Sequence, residues 1–311
     1  MKNINTETVY HYTSPEGVYQ ILKSKSLRFT DCQYLNDSGE ISYIERLFKE
    51  EYCRILRNRS EEISIPKFVN QIFQSRFGED RLFFGENKNG DNEFSIKKYR
   101  YYVLCASSDF DSSSMWSYYI KNNSYYGYNL GIEIATLKKC FENSSQNLDI
   151  ELLSDKVVYD ELEQRKIIFN KLNELFQNLD KSTELLDENK EDRRLINDFV
   201  EGIEEFINIK KLFFKNPAFS SEKEYRFVLK IPEKFDGNNC FNLDYRVGKS
   251  GIITPFITWF FGLNEKELMF KQITFAPMIE IVLARESFRR FLATSVYENI
   301  KFVNSSMNVR F

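Results

Sequence analysis

The sequence predicts a single α+β domain over residues 1–311. Segments with strand character occur from the start of the chain to its end, and helical segments lie between them. A helical pattern at about 161–212 interrupts the strands without separating them into two groups, so we interpret it as an insertion. The chain has no internal repeat and no low-complexity tract that would divide it further.

The N-terminal elements have clear boundaries. Residues 9–12 combine aromatic and β-branched side chains, which favours a short strand. Ser14 suits the cap of a helix and Pro15 its first position. Helical spacing of apolar residues ends near Lys25, and residues 27–29 then alternate as a strand does.

Helical and loop segments follow. Asp37 with Glu40 has the spacing of a capping box and predicts the start of a helix. The apolar pattern continues that helix to about residue 56. A second helical patch covers about 66–78, and residues 86–93 read as a polar loop.

The central strands are rich in tyrosine and valine. Residues 99–108 predict a buried strand, and residues 114–119 predict one turn of helix. Two further strands are expected, at 127–134 and in the "DKVVYD" segment at 155–160.

The predicted insertion has apolar stripes at helical spacing and a strongly acidic composition. Residues 180–205 contain ten acidic and four basic side chains, which we interpret as a solvated face and a connecting loop. We therefore predict that the insertion covers one side of the sheet and contributes no catalytic group.

The C-terminal third returns to alternating elements. Strands are predicted at 224–231 and at 272–277, where Pro277 closes the second one. A helix is expected at 280–293, followed by a last strand at 298–305.

Composition excludes several classes of protein. The net charge of −3, from 43 basic and 46 acidic residues, gives no general attraction to nucleic acid or to anionic membranes. The five cysteines are scattered and the chain has one histidine, so no metal site is predicted. We find no apolar signal segment and no run of ~20 apolar residues, which predicts a cytoplasmic protein without a membrane partner.

The single histidine, His11, restricts the possible chemistry. A Ser-His-Asp triad would have to use it, but no G-x-S-x-G nucleophile motif is present. A Cys-His pair would need Cys32 or Cys105 beside it, which the sequence leaves open. Neither glycine-rich phosphate-binding motif occurs.

Polar residues set among aromatic ones are the remaining candidates, and each has a structural alternative. Arg28 could be a surface cation, Asp37 a helix cap and Trp116 an ordinary core residue. Glu224 and Arg226 alternate on a predicted strand, together with Glu222, so we expect the three to share one face. Such a row is either a solvated face or a carboxylate and a cation presented to a cleft.

The order of the motifs resembles a bacterial family catalogued only as a domain of unknown function, family two-nine-seven-one. The shared motifs are short, and their order along the chain makes the resemblance specific. They are "HYT" at His11, "LRFT" at Leu27, "LND" at Leu35, "MWSYY" at Met115, "GYNLGIEI" at Gly127, "EKEYR" at Glu222, "GKSGIITPF" at Gly248 and "ITFAP" at Ile273.

That family in turn resembles a distant branch of the ADP-ribosyltransferase superfamily. The resemblance implies a split, mixed β-sheet core around an NAD cleft, with helical insertions. It implies His11 and Glu224 as the catalytic pair. It leaves Phe29, Tyr34, Trp116 and Tyr119 as alternatives for the aromatic group that stacks on nicotinamide.

Further NAD contacts are implied by position in these motifs. The residues concerned are His11, Tyr12, Thr13, Arg28, Phe29, Asn36, Asp37, Trp116, Tyr119 and Arg226. Cleavage of the nicotinamide–ribose bond passes through a cation-like transition state that a carboxylate stabilises. An imidazole can hold a ribose hydroxyl, and an arginine fork suits the pyrophosphate.

Three functions are therefore open. The first is an NAD-dependent ADP-ribosyltransferase, or an NAD glycohydrolase if water is the acceptor. Its acceptor could be protein, nucleic acid or a small molecule, and relatives suggest a toxin or phage-defence effector. The second is a catalytically silent binding module with the same fold, and the third is a phosphotransferase acting on RNA ends. Fold analogy alone does not separate these functions.

Overall fold

The computed structural model describes residues 7–35, 39–59, 99–118, 125–183, 193–248, 251–261 and 268–307. The chain divides into two compact units. The first unit comprises Met1–Asn36, Lys97–Val157 and Ser220–Phe311, and the second comprises Asp37–Ile96 and Val158–Phe219. The prediction of one domain for the whole chain stays a prediction.

The first unit contains a sheet of ten strands within the described residues. In chain order they are β1 Thr8–Thr13, β2 Ser26–Asp31, β3 Tyr99–Ser107, β4 Tyr128–Glu133, β5 Glu151–Lys156, β6 Glu224–Pro232, β7 Phe241–Val247, β8 Ile253–Phe260, β9 Phe270–Phe275 and β10 Lys301–Asn304. Only β9 and β10 are parallel in this sheet, and the other neighbouring pairs are antiparallel. The α+β class and the mixed sheet are thereby confirmed.

Strand β3 is the junction of the sheet. Along its whole length one edge pairs with β6, from Tyr99 opposite Pro232 to Ser107 opposite Glu224. Its other edge is shared, because β2 pairs at residues 102–103 and β1 pairs at Ser107. The sheet therefore forks on this edge, into β1-β4-β9-β10 and β2-β8-β7. His11, Phe29, Leu104 and Arg226 all lie in this one sheet.

Helices of the first unit follow the local signals in the sequence. They are α1 Pro15–Ser24, α3 Ser113–Tyr118, α4 Ile134–Ser144 and α7 Ile281–Leu292. The Ser14 side chain accepts a hydrogen bond from the Gly17 backbone N–H, and Lys25 ends α1 in the left-handed conformation. Both ends of α1 are where the sequence predicts them.

The main core of the first unit lies on one face of the strands. Val9 of β1, Phe29 of β2, Leu104 of β3 and Phe227 of β6 are all buried in it. A smaller cluster packs Tyr12 of β1 against Met115 and Trp116 of α3 and against Ala276, which follows β9. Alternate residues of a strand project to opposite faces, so the two clusters use different faces of β1.

The second unit is helical in its described residues. Its helices are α2 Gly39–Arg59, α5 Glu161–Thr183 and α6 Arg193–Lys210. They pack around Leu47, Phe48, Leu172, Phe176 and Ile203. The predicted insertion thus forms two helices that pack with α2. The predicted patch at 66–78 and loop at 86–93 lie outside the described residues.

Two parts of the strand prediction differ from the structure. The strand expected at 155–160 lies earlier, at Glu151–Lys156, because it continues the ladder from β3 and β6 and ends opposite Tyr225. Strands β7 and β8 were not predicted as such, since an apolar segment such as 251–263 has no clear period of two. None of the helices in the described part of the chain has the length and apolar character needed to cross a membrane.

Candidate functional site

His11 lies where β1 leaves the edge of β3. Its Nδ1 is 2.8 Å from the Cys105 carbonyl oxygen, the imidazole's only hydrogen bond to the described residues. A carbonyl oxygen can only accept, so Nδ1 carries the proton. Burial lowers the pKa of His11, and the hydrogen bond to Cys105 offsets only part of this effect. The neutral ring therefore presents Nε2 as a hydrogen-bond acceptor.

The contact between His11 and Cys105 is not a catalytic Cys-His pair. The imidazole bonds the main-chain carbonyl of Cys105 rather than its thiol. The carbonyl lies at the edge of β3 where the sheet forks. The observed role of the contact is to fix the orientation and tautomer of the ring.

Glu224 lies two strands away from β1. Tyr10 is opposite Ser107, and Ser107 is opposite Glu224. Two strand spacings separate the β1 and β6 backbones by about 10 Å. Directly paired residues share a face, so Glu224 lies on the face of Tyr10, and His11 projects from the other face.

The Glu224 carboxylate is held by Arg226 of the same strand. Arg226 Nε donates to Oε1 at 3.0 Å and Nη2 donates to Oε2 at 2.9 Å. The side chains are 1% and 2% exposed. This fork-to-fork geometry is the strongest form of a carboxylate–guanidinium pair. The prediction that Glu224 and Arg226 share a strand face is confirmed.

Glu222 does not share that strand face. It ends a 3-10 helix at Pro217–Glu222, and β6 begins only at Glu224. Lys223 between them has a φ of 45°, in the left-handed region, so the alternation of a strand does not extend back to Glu222. The Glu222 carbonyl oxygen instead accepts a 2.7 Å hydrogen bond from the Ser107 hydroxyl. The expected row of three residues is therefore wrong, because the chain turns at Lys223.

Tyr12 and Thr13 are part of the framework beside His11. The Tyr12 hydroxyl donates to the Asp109 carbonyl at 2.7 Å and accepts from the Ser112 N–H at 3.0 Å. Burial raises the pKa of Tyr12, so it stays protonated. A Cβ on Gly17 would lie 2.0 Å from Thr13 Oγ1, so the start of α1 packs directly on this threonine.

The candidates for the stacking aromatic group differ in exposure. Phe29 and Trp116 are 0% exposed and belong to the two cores, so neither ring face is open to a ligand. Trp116 Nε1 donates to Asp111 Oδ1 at 2.9 Å, which fixes the indole in place. Tyr34 is 39% exposed and keeps an accessible ring. Tyr119 lies outside the described residues, as do Asn36 and Asp37.

Arg28 is an exposed residue of β2. Its guanidinium lies 5.1 Å from the centroid of the Phe256 ring, at cation–π distance. It projects on the same face as Thr30, because both alternate with buried Phe29. Arg28 is thus accessible to an anion, whereas Arg226 is committed to Glu224 in the interior.

Asp111 is an organising residue that the sequence analysis missed. Its carboxylate accepts from Trp116, from the Ser305 hydroxyl at 2.6 Å, and from the N–H and hydroxyl of Ser306. Burial raises the pKa of Asp111, but the hydrogen bonds from Ser305, Trp116 and Ser306 outweigh it and hold the pKa below its usual value. No motif predicts a link between residues so distant in sequence.

The described residues contain no group of three or more His, Cys, Asp and Glu side chains that could hold a metal ion. The candidate groups that the structure describes are the neutral His11 ring, the buried Glu224–Arg226 pair and the exposed side chains Arg28 and Tyr34.

Comparison with known families supports the family resemblance over the middle of the chain. Residues 115–227 match the family described as "Protein of unknown function (DUF2971)". This confirms the predicted resemblance and covers the stretch from the "MWSYY" motif to the start of β6. Neither the comparison with curated proteins nor that with solved structures gives a match.

Proposed function

We propose that this chain, which carries the DUF2971 region, binds NAD and cleaves its nicotinamide–ribose bond to transfer ADP-ribose. The observation that carries the proposal is the fixed tautomer of His11. Its Nδ1–H is held by the Cys105 carbonyl, which leaves Nε2 to accept a hydrogen bond from a ribose hydroxyl. A neutral ring also adds no positive charge beside a cation-like transition state.

Glu224 is the proposed stabiliser of that transition state. The carboxylate is kept in one orientation by two hydrogen bonds from Arg226. Because the pair is buried and lies on the sheet face opposite His11, Glu224 can act on a ribose bound by His11 only if the ligand displaces part of this contact and reaches both faces where the sheet forks. In the transfer step the C–N bond to nicotinamide breaks, nicotinamide leaves with the electron pair, and the acceptor oxygen or nitrogen forms the new bond and loses its proton.

The buried pair favours a second candidate, binding of NAD without turnover. A carboxylate that is 1% exposed and paired with a guanidinium has its charge compensated inside the fold. A silent module would leave the pair intact when the ligand binds. The two candidates therefore differ in turnover, not in affinity for NAD.

The test combines NAD affinity with nicotinamide release for the wild type, Glu224→Gln and Glu222→Gln. For a transferase, Glu224→Gln loses ~10²–10³ in rate while affinity changes less, because the charge matters most in the transition state. Glu222→Gln is the matched control, as Glu222 lies before the turn at Lys223. No nicotinamide release by a wild type that binds NAD selects the silent module. No NAD binding by the folded wild type overturns both candidates.

A further inference from the structure

Two arginines lie together on the face of the β2-β8-β7 branch opposite the main core. Thr30 of β2 is opposite Phe256 of β8, and Thr254 of β8 is opposite Arg246 of β7. Paired and alternate residues share a face, so Arg28, Thr30 and Arg246 all project on the same side. Both arginines are exposed.

The contacts that hold the two guanidinium groups are uncharged. Arg28 lies over the Phe256 ring, and that ring is itself 3% exposed and therefore fixed in place. Arg246 Nη2 donates to Thr30 Oγ1 at 3.0 Å. Both side chains are thus oriented without losing their capacity to bind an anion.

Neither arginine forms an ion pair with a carboxylate of the described residues. Asp244 projects on the same face, opposite Phe256, and its Oδ1 accepts from the Tyr245 N–H at 2.8 Å. Burial, and secondarily the charge of Arg28, lower the pKa of the Arg246 guanidinium. The two positive charges therefore lie close enough to repel each other.

Several other arginines of the described residues pair with carboxylates. Arg165 contacts the carboxylates of Glu50, Glu51 and Glu161, and Arg290 pairs with Glu286. Two adjacent, oriented arginines with no such partner form a positively charged patch with at least one threonine hydroxyl between them. Guanidinium groups match the geometry of phosphate oxygens and bind them in a bidentate manner.

We infer that Arg28 and Arg246 together bind a phosphate group of a ligand. Arg28 approaches from β2 and Arg246 from β7, so one phosphate placed above Thr30 can accept from both. This site does not require NAD cleavage. It rests on the proposed function only where the phosphate belongs to NAD.

Calorimetric titration with pyrophosphate tests the inference on the full chain. We compare the wild type with Arg28→Gln, Arg246→Gln and the double variant, and use Arg290→Gln as the control for loss of one exposed charge. Each single variant is expected to weaken binding at least about tenfold, since a hydrogen bond to a charged group is lost. The double variant should abolish binding, and the control should leave it unchanged.

A thermal unfolding measurement shows whether the variants remain folded. Pyrophosphate should raise the melting temperature of the wild type and of Arg290→Gln, but not that of the double variant. Absence of pyrophosphate binding by the wild type overturns the inference. Equal binding by the folded double variant also overturns it.

Two further titrations identify the source of the phosphate. NAD tests a dinucleotide, and a short single-stranded oligonucleotide tests a polynucleotide. A loss of affinity in the double variant for one ligand alone identifies that ligand as the source. If NAD binding depends on Arg246 but nicotinamide is not released, the phosphate site stands and the proposed transferase activity fails.

Discussion

Arginines occur in two contrasting environments in the first unit. Arg226 is 2% exposed and bound to the Glu224 carboxylate by two hydrogen bonds. Arg28 and Arg246 are exposed and lie close to each other. Among the described residues, Arg28 contacts the Phe256 ring and Arg246 donates to the Thr30 hydroxyl. A buried charge requires a partner because desolvation is costly, whereas an exposed charge is stabilised by water. The buried arginine therefore maintains the fold, whereas the exposed pair is available to bind a ligand.

The largest expected effect comes from removing the carboxylate partner of Arg226. Glu224→Ala should lower the free energy of unfolding by about 3–5 kcal/mol, as for other broken buried pairs. Urea denaturation measures this loss. Glu233→Ala is the matched control, because Glu233 and Arg100 form an ion pair that is 44% and 45% exposed. The control should cost less than about 1 kcal/mol. Equal losses in both variants would remove the distinction between the two environments.

An intermediate effect is expected at Asp111, a half-buried carboxylate compensated by hydrogen bonds alone. Asp111→Asn should cost about 1–2 kcal/mol at pH 7, because donors aimed at a carboxylate lose the charge that strengthens them. The folded-state pKa is lowered, so this stability is present above the unfolded pKa of about 4 and is lost as the pH falls through the folded pKa. Urea denaturation at pH 7 and pH 3 should show the difference from wild type shrinking. A constant difference would contradict the assignment.

A smaller effect is expected at His11. Its pKa is lowered in the folded state, so the unfolded chain binds a proton first as the pH falls below about 6.5. The wild type should therefore lose stability relative to His11→Gln below that pH and reach a plateau under the folded pKa. His11 is the only histidine in the sequence, so the comparison isolates one imidazole. A gain in the relative stability of wild type on acidification would show that the ring is protonated in the fold.

The smallest effect is expected at the exposed pair. Arg246→Gln should change the free energy of unfolding by less than about 0.5 kcal/mol, and in the direction of greater stability, because repulsion with Arg28 is relieved. Raising the salt concentration should reduce even this difference, since exposed charges are screened. Denaturation at low and high salt provides the measurement. A loss of more than 1 kcal/mol would show that Arg246 is structural.

The sequence predicted those parts of the fold that depend on local signals. Ser14 and Lys25 bound α1 as expected because capping is decided within a few residues. The turn at Lys223 was not foreseen, since a lysine in the left-handed conformation has no sequence signature. The placement of "ELLSDK" as a strand also depends on its distant partner, β6.

The candidate site was predictable only as a set of motifs. The order of the motifs led to His11 and Glu224, and the structure places them on strands two apart in one sheet. The exposure of Tyr34, and not of Phe29 or Trp116, depends on how these side chains pack. The pairing of Arg226 with Glu224 also depends on packing, which cannot be deduced from the sequence. Arg246 could not be found, because its proximity to Arg28 arises from pairing between strands more than two hundred residues apart.

The junction at β3 has a consequence for how the protein is made. β6, the partner of β3, lies more than a hundred residues further along the chain, and so does β9, the partner of β4. During synthesis the early strands therefore emerge long before their partners, and pairing at such separation is slow. Until then, the edges of β3 and β4 are open to pairing with another chain, which raises the risk of aggregation before the sheet is complete.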